Sequence, residues 1–131
     1  MSRQLAAPGW ERELVARANR DEEFVLISRW THLSMRLESD DFYGCYRVES
    51  SVLSVDTSPE SDQTVRLVGS SLAWGDFLAA VPPANSHHFL AMDRRRGDFS
   101  VAAGRDQLIQ NLRVVNALSD LMRAALNGAS R

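Results

Sequence analysis

Between residues 30 and 70 the hydrophobic positions recur every second residue, and on either side of that stretch they recur every third or fourth. In WTHLSMRLES, Leu33, Met35 and Leu37 alternate with Ser34, Arg36 and Glu38, the pattern of a strand with one apolar and one wet face. Asp40-Asp41 signals a turn. In FYGCYRVES, Phe42, Gly44, Tyr46 and Val48 alternate with Tyr43, Cys45, Arg47 and Glu49, which predicts a hairpin. SVLSVDTS predicts a third strand, SPESDQ breaks the pattern, and TVRLVGS predicts a fourth, so 30–70 reads as a strand meander.

The flanking period is helical. In PGWERELVARAN, Pro8 opens a helix with acidic residues in its first turn, and Trp10, Leu14 and Val15 recur on one face. DEEFVLISR, capped by Asn19 or Asp21, predicts a second short helix, so 1–29 holds two helices. After Gly69, Ser70 or Ser71 caps SLAWGDFLAAV, whose Leu72, Trp74, Phe77, Leu78 and Val81 share one broad face until Pro82-Pro83 ends it. A turn through Ala84-Asn85-Ser86 leads to HHFLAMD, one or two helical turns, and DRRRGD is a polar turn, so 71–97 is helix and loop. Residues 98–104, DFSVAAG, predict a fifth strand with Phe99 and Val101 on one face. From 105 to 127 a single long helix is predicted: Leu108, Leu112, Val115, Leu118, Met122 and Leu126 lie on one side, Asp106, Gln110, Arg113 and Asp120 on the other, with Gly128 as its stop. Such a helix spans roughly 33 Å, enough to cross a five-stranded sheet. The element order is that of an α+β domain with one sheet face buried under helices.

Composition narrows the partners. A chain of 131 residues builds one domain and one core. Its formal net charge of -2 argues against a general affinity for nucleic acid. Cys45, the one cysteine, has no internal disulfide partner, and with three histidines the chain lacks the ligands of a thiolate zinc site. No segment has the length of a membrane span or the pattern of a signal peptide, so the chain reads as cytoplasmic and without stable membrane insertion.

The run from TVRLVGS through SLAWGDFLAAVPP to HHFLAM, then DFSVAAG and RDQLIQNLRVVNALSDLMR, resembles the lipid-binding domain of the sterol carrier protein family. With the upstream strands the resemblance covers about Trp30 to Arg123. It is nearest to small bacterial versions that stand alone or precede an α/β-hydrolase domain. It rests on element order and apolar placement. It implies a five-stranded, mainly antiparallel sheet covered on one face by helices including a long C-terminal one. It also implies an apolar tunnel between them for a lipid, acyl chain, sterol-like or polyketide-like molecule, with no cofactor. A homodimer or a hydrolase partner is a further expectation.

Candidate ligand-binding residues follow. Met35, Phe77, Phe89, Met92, Leu112, Val115 and Met122 combine aromatic planes with flexible side chains suited to lining a pocket, although the same stripe serves a filled core and pattern alone does not separate the two. Trp74 is either a pocket wall or the anchor of its helix, and Asn111 either meets a polar ligand head or sits at a hydrogen-bonded boundary. Arg94-Arg95-Arg96 reads as a solvated turn in preference to an anion site. The adjacent His87 and His88 point in different directions and do not converge on a metal, which leaves His87 to watch a pocket mouth.

No nucleophile elbow, phosphate loop or zinc-protease helix is present. Should the pocket catalyse an isomerisation or cyclisation, His32, Asp76 and His87 are the first acid–base candidates. Cys45 with His32 or His87 is the one nucleophile–base pairing available, but Cys45 stands mid-strand with no motif around it and reads as a small apolar residue. A third reading is an interaction module whose exposed apolar face carries Trp10 and Leu14.

Overall fold

The computed structural model describes residues 9–40, 42–55 and 64–127. The roles expected of Pro8, Asp41, SPESDQ and Gly128 fall wholly or in part outside them. The elements run α1 (Trp10–Arg20), α2 (Glu22–Ile27), β1 (His32–Ser39), β2 (Phe42–Glu49), β3 (Val52–Val55), β4 (Thr64–Gly69), α3 (Ser71–Phe77), α4 (Phe89–Arg95), β5 (Phe99–Ala103), α5 (Arg105–Gln110) and α6 (Leu112–Asn127). Among the described residues no helix is long and apolar enough to cross a membrane.

The sheet has the order β3-β2-β1-β4-β5. β1–β2, β2–β3 and β4–β5 are antiparallel, and β1–β4 is parallel, so the sheet is mixed. The meander therefore ends at β3. β4 does not continue it but lies on the far side of β1, with Met35 facing Val65 and Leu37 facing Leu67. The predicted apolar positions Leu33, Met35, Leu37, Tyr46, Val48, Leu53, Val65 and Leu67 are all buried, while Cys45, which alternation placed among the polar positions of β2, is buried as well. Together with Trp10, Leu14, Phe77, Leu118 and Met122 they belong to one hydrophobic cluster between the sheet and its helices.

Local chemistry sets the element ends. Asp21 caps α2 by accepting from the Phe24 N–H at 2.8 Å, and Ser70 caps α3 by accepting from Ala73 at 3.0 Å. Asn19, the alternative cap for α2, bonds Leu53 instead. Gly104 joins β5 to α5 with a positive φ of 78°, and a Cβ there would lie 2.7 Å from the Thr64 carbonyl oxygen, so both conformation and space call for glycine.

Three expectations need correction. The helix predicted over 105–127 is two, because Asn111 caps α5: its side-chain amide and its backbone N–H both donate to the Gln107 carbonyl, at 2.8 and 3.2 Å. α3 stops at Phe77, short of Val81. Its terminal carbonyls are taken by α6, where Arg123 Nε donates to Phe77 O at 2.7 Å and Asn127 Nδ2 to Leu78 O at 2.9 Å. Val81, beyond the helix end, is 84% exposed, and Leu72, also expected on the apolar face, lies within α3 but is 63% exposed. Trp10 and Leu14 form no exposed face. α1 packs on α6 and β3, the Trp10 indole lies edge-on to Tyr46 at 6.4 Å, and its N–H donates to Met122 O at 3.4 Å.

Candidate functional site

Where α3, α4 and β5 meet lies a cluster of four aromatic rings. Trp74 meets Phe77, Phe89 and Phe99 edge-on at 5.8, 6.0 and 5.5 Å, while Phe89 stacks on Phe77 at 4.5 Å and on Phe99 at 5.8 Å. Each edge-to-face or offset pair adds about 0.5–1.5 kcal/mol beyond burial. Gly69 permits this closeness: a Cβ there would come within 2.7 Å of the Phe99 ring and 3.2 Å of the Trp74 nitrogen. The Trp74 N–H donates to Glu38 O at 2.8 Å, tying α3 to the end of β1. Trp74 thus anchors its helix, as one of its two sequence readings had it, and lies at the centre of the cluster.

Of the residues singled out from sequence, the structure brings Met35, Trp74, Phe77, Phe89, Met92, Val115 and Met122 into the one buried cluster. Leu112 is half-buried at the start of α6. The amide of Asn111 is turned to Gln107 O. Trp74, Phe77 and Met92 have no surface open to water, so in this state the layer is closed over its rings.

The segment joining α3 to α4 is held by polar bonds besides the burial of Leu78. Residues 78–88 carry no helix beyond a turn, and their ends are drawn together by a single guanidinium: Arg123 donates to Phe77 O and, through Nη2, to His87 O, both at 2.7 Å, and lies 4.5 Å over the Phe77 ring. Its side chain is only 11% exposed, and burial holds its pKa below the ordinary arginine value. Arg96 fixes the same segment from the other side. It bridges Asp76 at 2.9 Å and Asp98 at 2.8 Å and donates to the buried Ser86 hydroxyl at 2.9 Å. Hydrogen bonds from Arg96 and Ser70 pull the Asp98 carboxyl down to about 2, and the pair raises Arg96 above its usual value.

The expected solvated turn is corrected accordingly. Arg94 and Arg95 end α4 in solvent, whereas Arg96 turns inward to two carboxylates. His87 and His88 are both exposed, their rings 6.2 Å apart, and do not part as expected. The candidate acid–base residues do not assemble either. His32 is exposed at the start of β1 beside Glu49, Asp76 is engaged by Arg96, and His87 lies on the loop. Cys45 pairs with Arg36, four residues along β1 from His32 and so roughly 13 Å away. Among the described residues no group of three or more His, Cys, Asp or Glu is placed to hold a metal ion.

Arg123 and Arg96 are the site residues that sequence patterning missed. The available signal for Arg123 was its place four residues after Ser119, a buried position on the same helix face. Arg96 had the weaker signal of Asp98 two residues on.

A five-stranded mixed sheet with helices on one face and a long C-terminal helix is a sterol-carrier-like fold, and this chain has it. The solved structure of a "UbiJ-SCP2 Ubiquinone synthesis protein" superimposes on it with a TM-score of 0.58, covering 90% of this chain and 96% of that chain at 17% sequence identity. No protein-family model and no curated protein matches the chain.

Proposed function

We propose that this protein binds an apolar or amphipathic small molecule between its sheet and its helices, admitted when residues 78–88 lift from the aromatic layer. The observation that carries the reading is how that segment is held. Its cover is fixed by side-chain hydrogen bonds from Arg123, Asn127 and Arg96, while Val81 at its centre faces solvent. Releasing it costs these polar bonds, each worth about 0.5–3 kcal/mol net, together with the burial of Leu78. The layer beneath is adaptable: Met35, Met92 and Met122 offer thioether chains that change rotamer to fit varied shapes. An acyl chain entering there gains about 0.8 kcal/mol per buried methylene, so a medium-length chain offsets the opening. The sterol-carrier-like fold supports the same reading, and the name of the superimposed relative, a ubiquinone synthesis protein, is in keeping with an apolar ligand.

The test is a titration of delipidated protein with fatty acids, long-chain alcohols and a prenylated quinone, read by tryptophan emission and native mass spectrometry. Saturable one-to-one binding that quenches a signal absent from a Trp74→Phe variant is expected. No retained ligand from any of these classes sinks the proposal.

A further inference from the structure

We propose that the molecule admitted beneath residues 78–88 carries a single carboxylate and that Arg123 selects it, an inference that rests on the binding proposed above and names its ligand class. Two arginines fasten the segment, and their charges are answered very differently. Arg96 lies between the carboxylates of Asp76 and Asp98. Arg123 gives its two short bonds, both 2.7 Å, to neutral carbonyls, Phe77 O and His87 O. Among the described residues its one carboxylate is Asp120, 3.2 Å away and 81% exposed, a pair that water screens. The guanidinium itself is withdrawn from water, and its central carbon lies 4.5 Å over the Phe77 ring. A desolvated cation bonded to neutral acceptors favours an anion in their place, since a charge-assisted bond is roughly twice as strong as a neutral one.

The position suits a head group. Phe77 belongs to the buried cluster, so the same guanidinium borders the apolar interior on one side and the segment on the other. When 78–88 lifts, His87 O leaves and Nη2 loses its acceptor, while Nε keeps Phe77 O at the end of α3. A carboxylate at the end of a chain lying against Phe77 takes the place of His87 O. Ligand and segment thus compete for one donor, and opening exchanges a neutral bond for a charged one. A long-chain alcohol offers an acceptor no better than the carbonyl that it displaces. A dianionic phosphate head is disfavoured as well: Arg96 is already matched by two carboxylates, and the second negative charge meets Asp120 with no further cation to answer it.

Isothermal titration calorimetry of delipidated protein with dodecanoate, dodecanol and dodecyl phosphate at neutral pH, each below its micelle concentration, tests this. Wild type is expected to bind dodecanoate about tenfold or more tightly than dodecanol, and more tightly than dodecyl phosphate. Arg123→Met brings dodecanoate down to the level of dodecanol, whose own binding persists, whereas Arg95→Met, at a solvent-exposed arginine of α4, leaves the preference intact. Arg123→Lys keeps the charge without the fork and falls between, and it decides the matter should Arg123→Met fail to fold. Equal binding of acid and alcohol by wild type overturns the proposal and leaves the pocket standing. Tighter binding of the phosphate, or a preference for the acid undiminished in whichever Arg123 variants fold, also overturns it. If a prenylated quinone binds and none of the three dodecyl compounds does, this proposal alone falls; if nothing binds, the pocket falls with it.

Discussion

Asn19 holds both backbone groups of Leu53: its Nδ2 donates to the carbonyl oxygen at 3.1 Å and its Oδ1 accepts from the N–H at 2.9 Å. β3 is an edge strand, and Leu53 lies opposite Val48 of β2, so a side chain of α1 stands where the next strand's backbone would be. Asn19→Ala strands a donor and an acceptor together. A loss of about 1–3 kcal/mol in urea unfolding is expected, with faster hydrogen exchange at the Leu53 amide. An unchanged midpoint would show that water replaces the amide without cost.

Arg123→Met keeps the stem over Phe77 and removes the guanidinium donors to Phe77 O and His87 O. Hydrogen exchange across 78–88 should rise well above wild type while α1 and β1–β3 stay protected, and stability should fall by about 2–3 kcal/mol. Arg123→Lys retains the charge but not the fork that reaches two carbonyls, so its exchange should lie between the two. Equal protection in all three proteins would remove Arg123 as the fastening of this segment.

The Asp98 carboxyl is depressed from 3.8 to about 2 by Arg96 and Ser70. A folded-state pKa below the unfolded one means that its stabilisation is fully present above about pH 4 and is lost as pH falls through 4 toward 2. Asp98→Asn should therefore lower stability at pH 7 and flatten the wild-type decline between pH 4 and 2. Thermal unfolding in that window checks it, and parallel declines for both proteins would contradict the assignment. Asp93, held low by Arg105, contributes to the residual slope in the variant.

Trp74→Phe conserves an aromatic ring in the cluster but leaves Glu38 O without its indole donor. A cost of about 1–3 kcal/mol is expected from the lost bond and the smaller ring, and Trp74→Ala should cost about 3–5 kcal/mol. If the two variants were equally destabilised, the ring contacts with Phe77, Phe89 and Phe99 would carry none of the difference.

The strands are legible in the sequence because period two survives in each of them, and burial follows it residue by residue in β1. The partner of β4 is not, since parallel pairing with β1 depends on where the chain returns and leaves no mark on TVRLVGS itself. Asn111 looks like one more turn of a long amphipathic helix. Its role as a cap emerges only in the side-chain bond to Gln107, an option that asparagine has in any helix and takes in few. Trp10 and Leu14 read as an exposed face because a lone amphipathic helix does not announce its cover; α6, more than ninety residues away, supplies it. The aromatic cluster is partly legible, with Trp74, Phe77, Phe89 and Met92 all marked by their spacing, but its fastening is not. Arg96 sits in a run of three arginines that reads as solvated, and Arg123 borders an apolar stripe where arginine ordinarily reaches for water.

The parallel seam between β1 and β4 has a consequence for how the chain assembles. Ser39 pairs with Phe42, its near neighbour in sequence, whereas Ser34 must wait for Thr64, roughly thirty residues later. Short-range pairs lose little chain entropy in forming, and the long-range pair loses more before any contact rewards it. The first half of the molecule can thus gather as a three-stranded template, and the second half, β4 through α6, zips onto the exposed flank of β1. α6 packs on α1 and so joins the last helix to the first, and formation of the β1–β4 seam is the long-range event on which the folding rate is expected to depend.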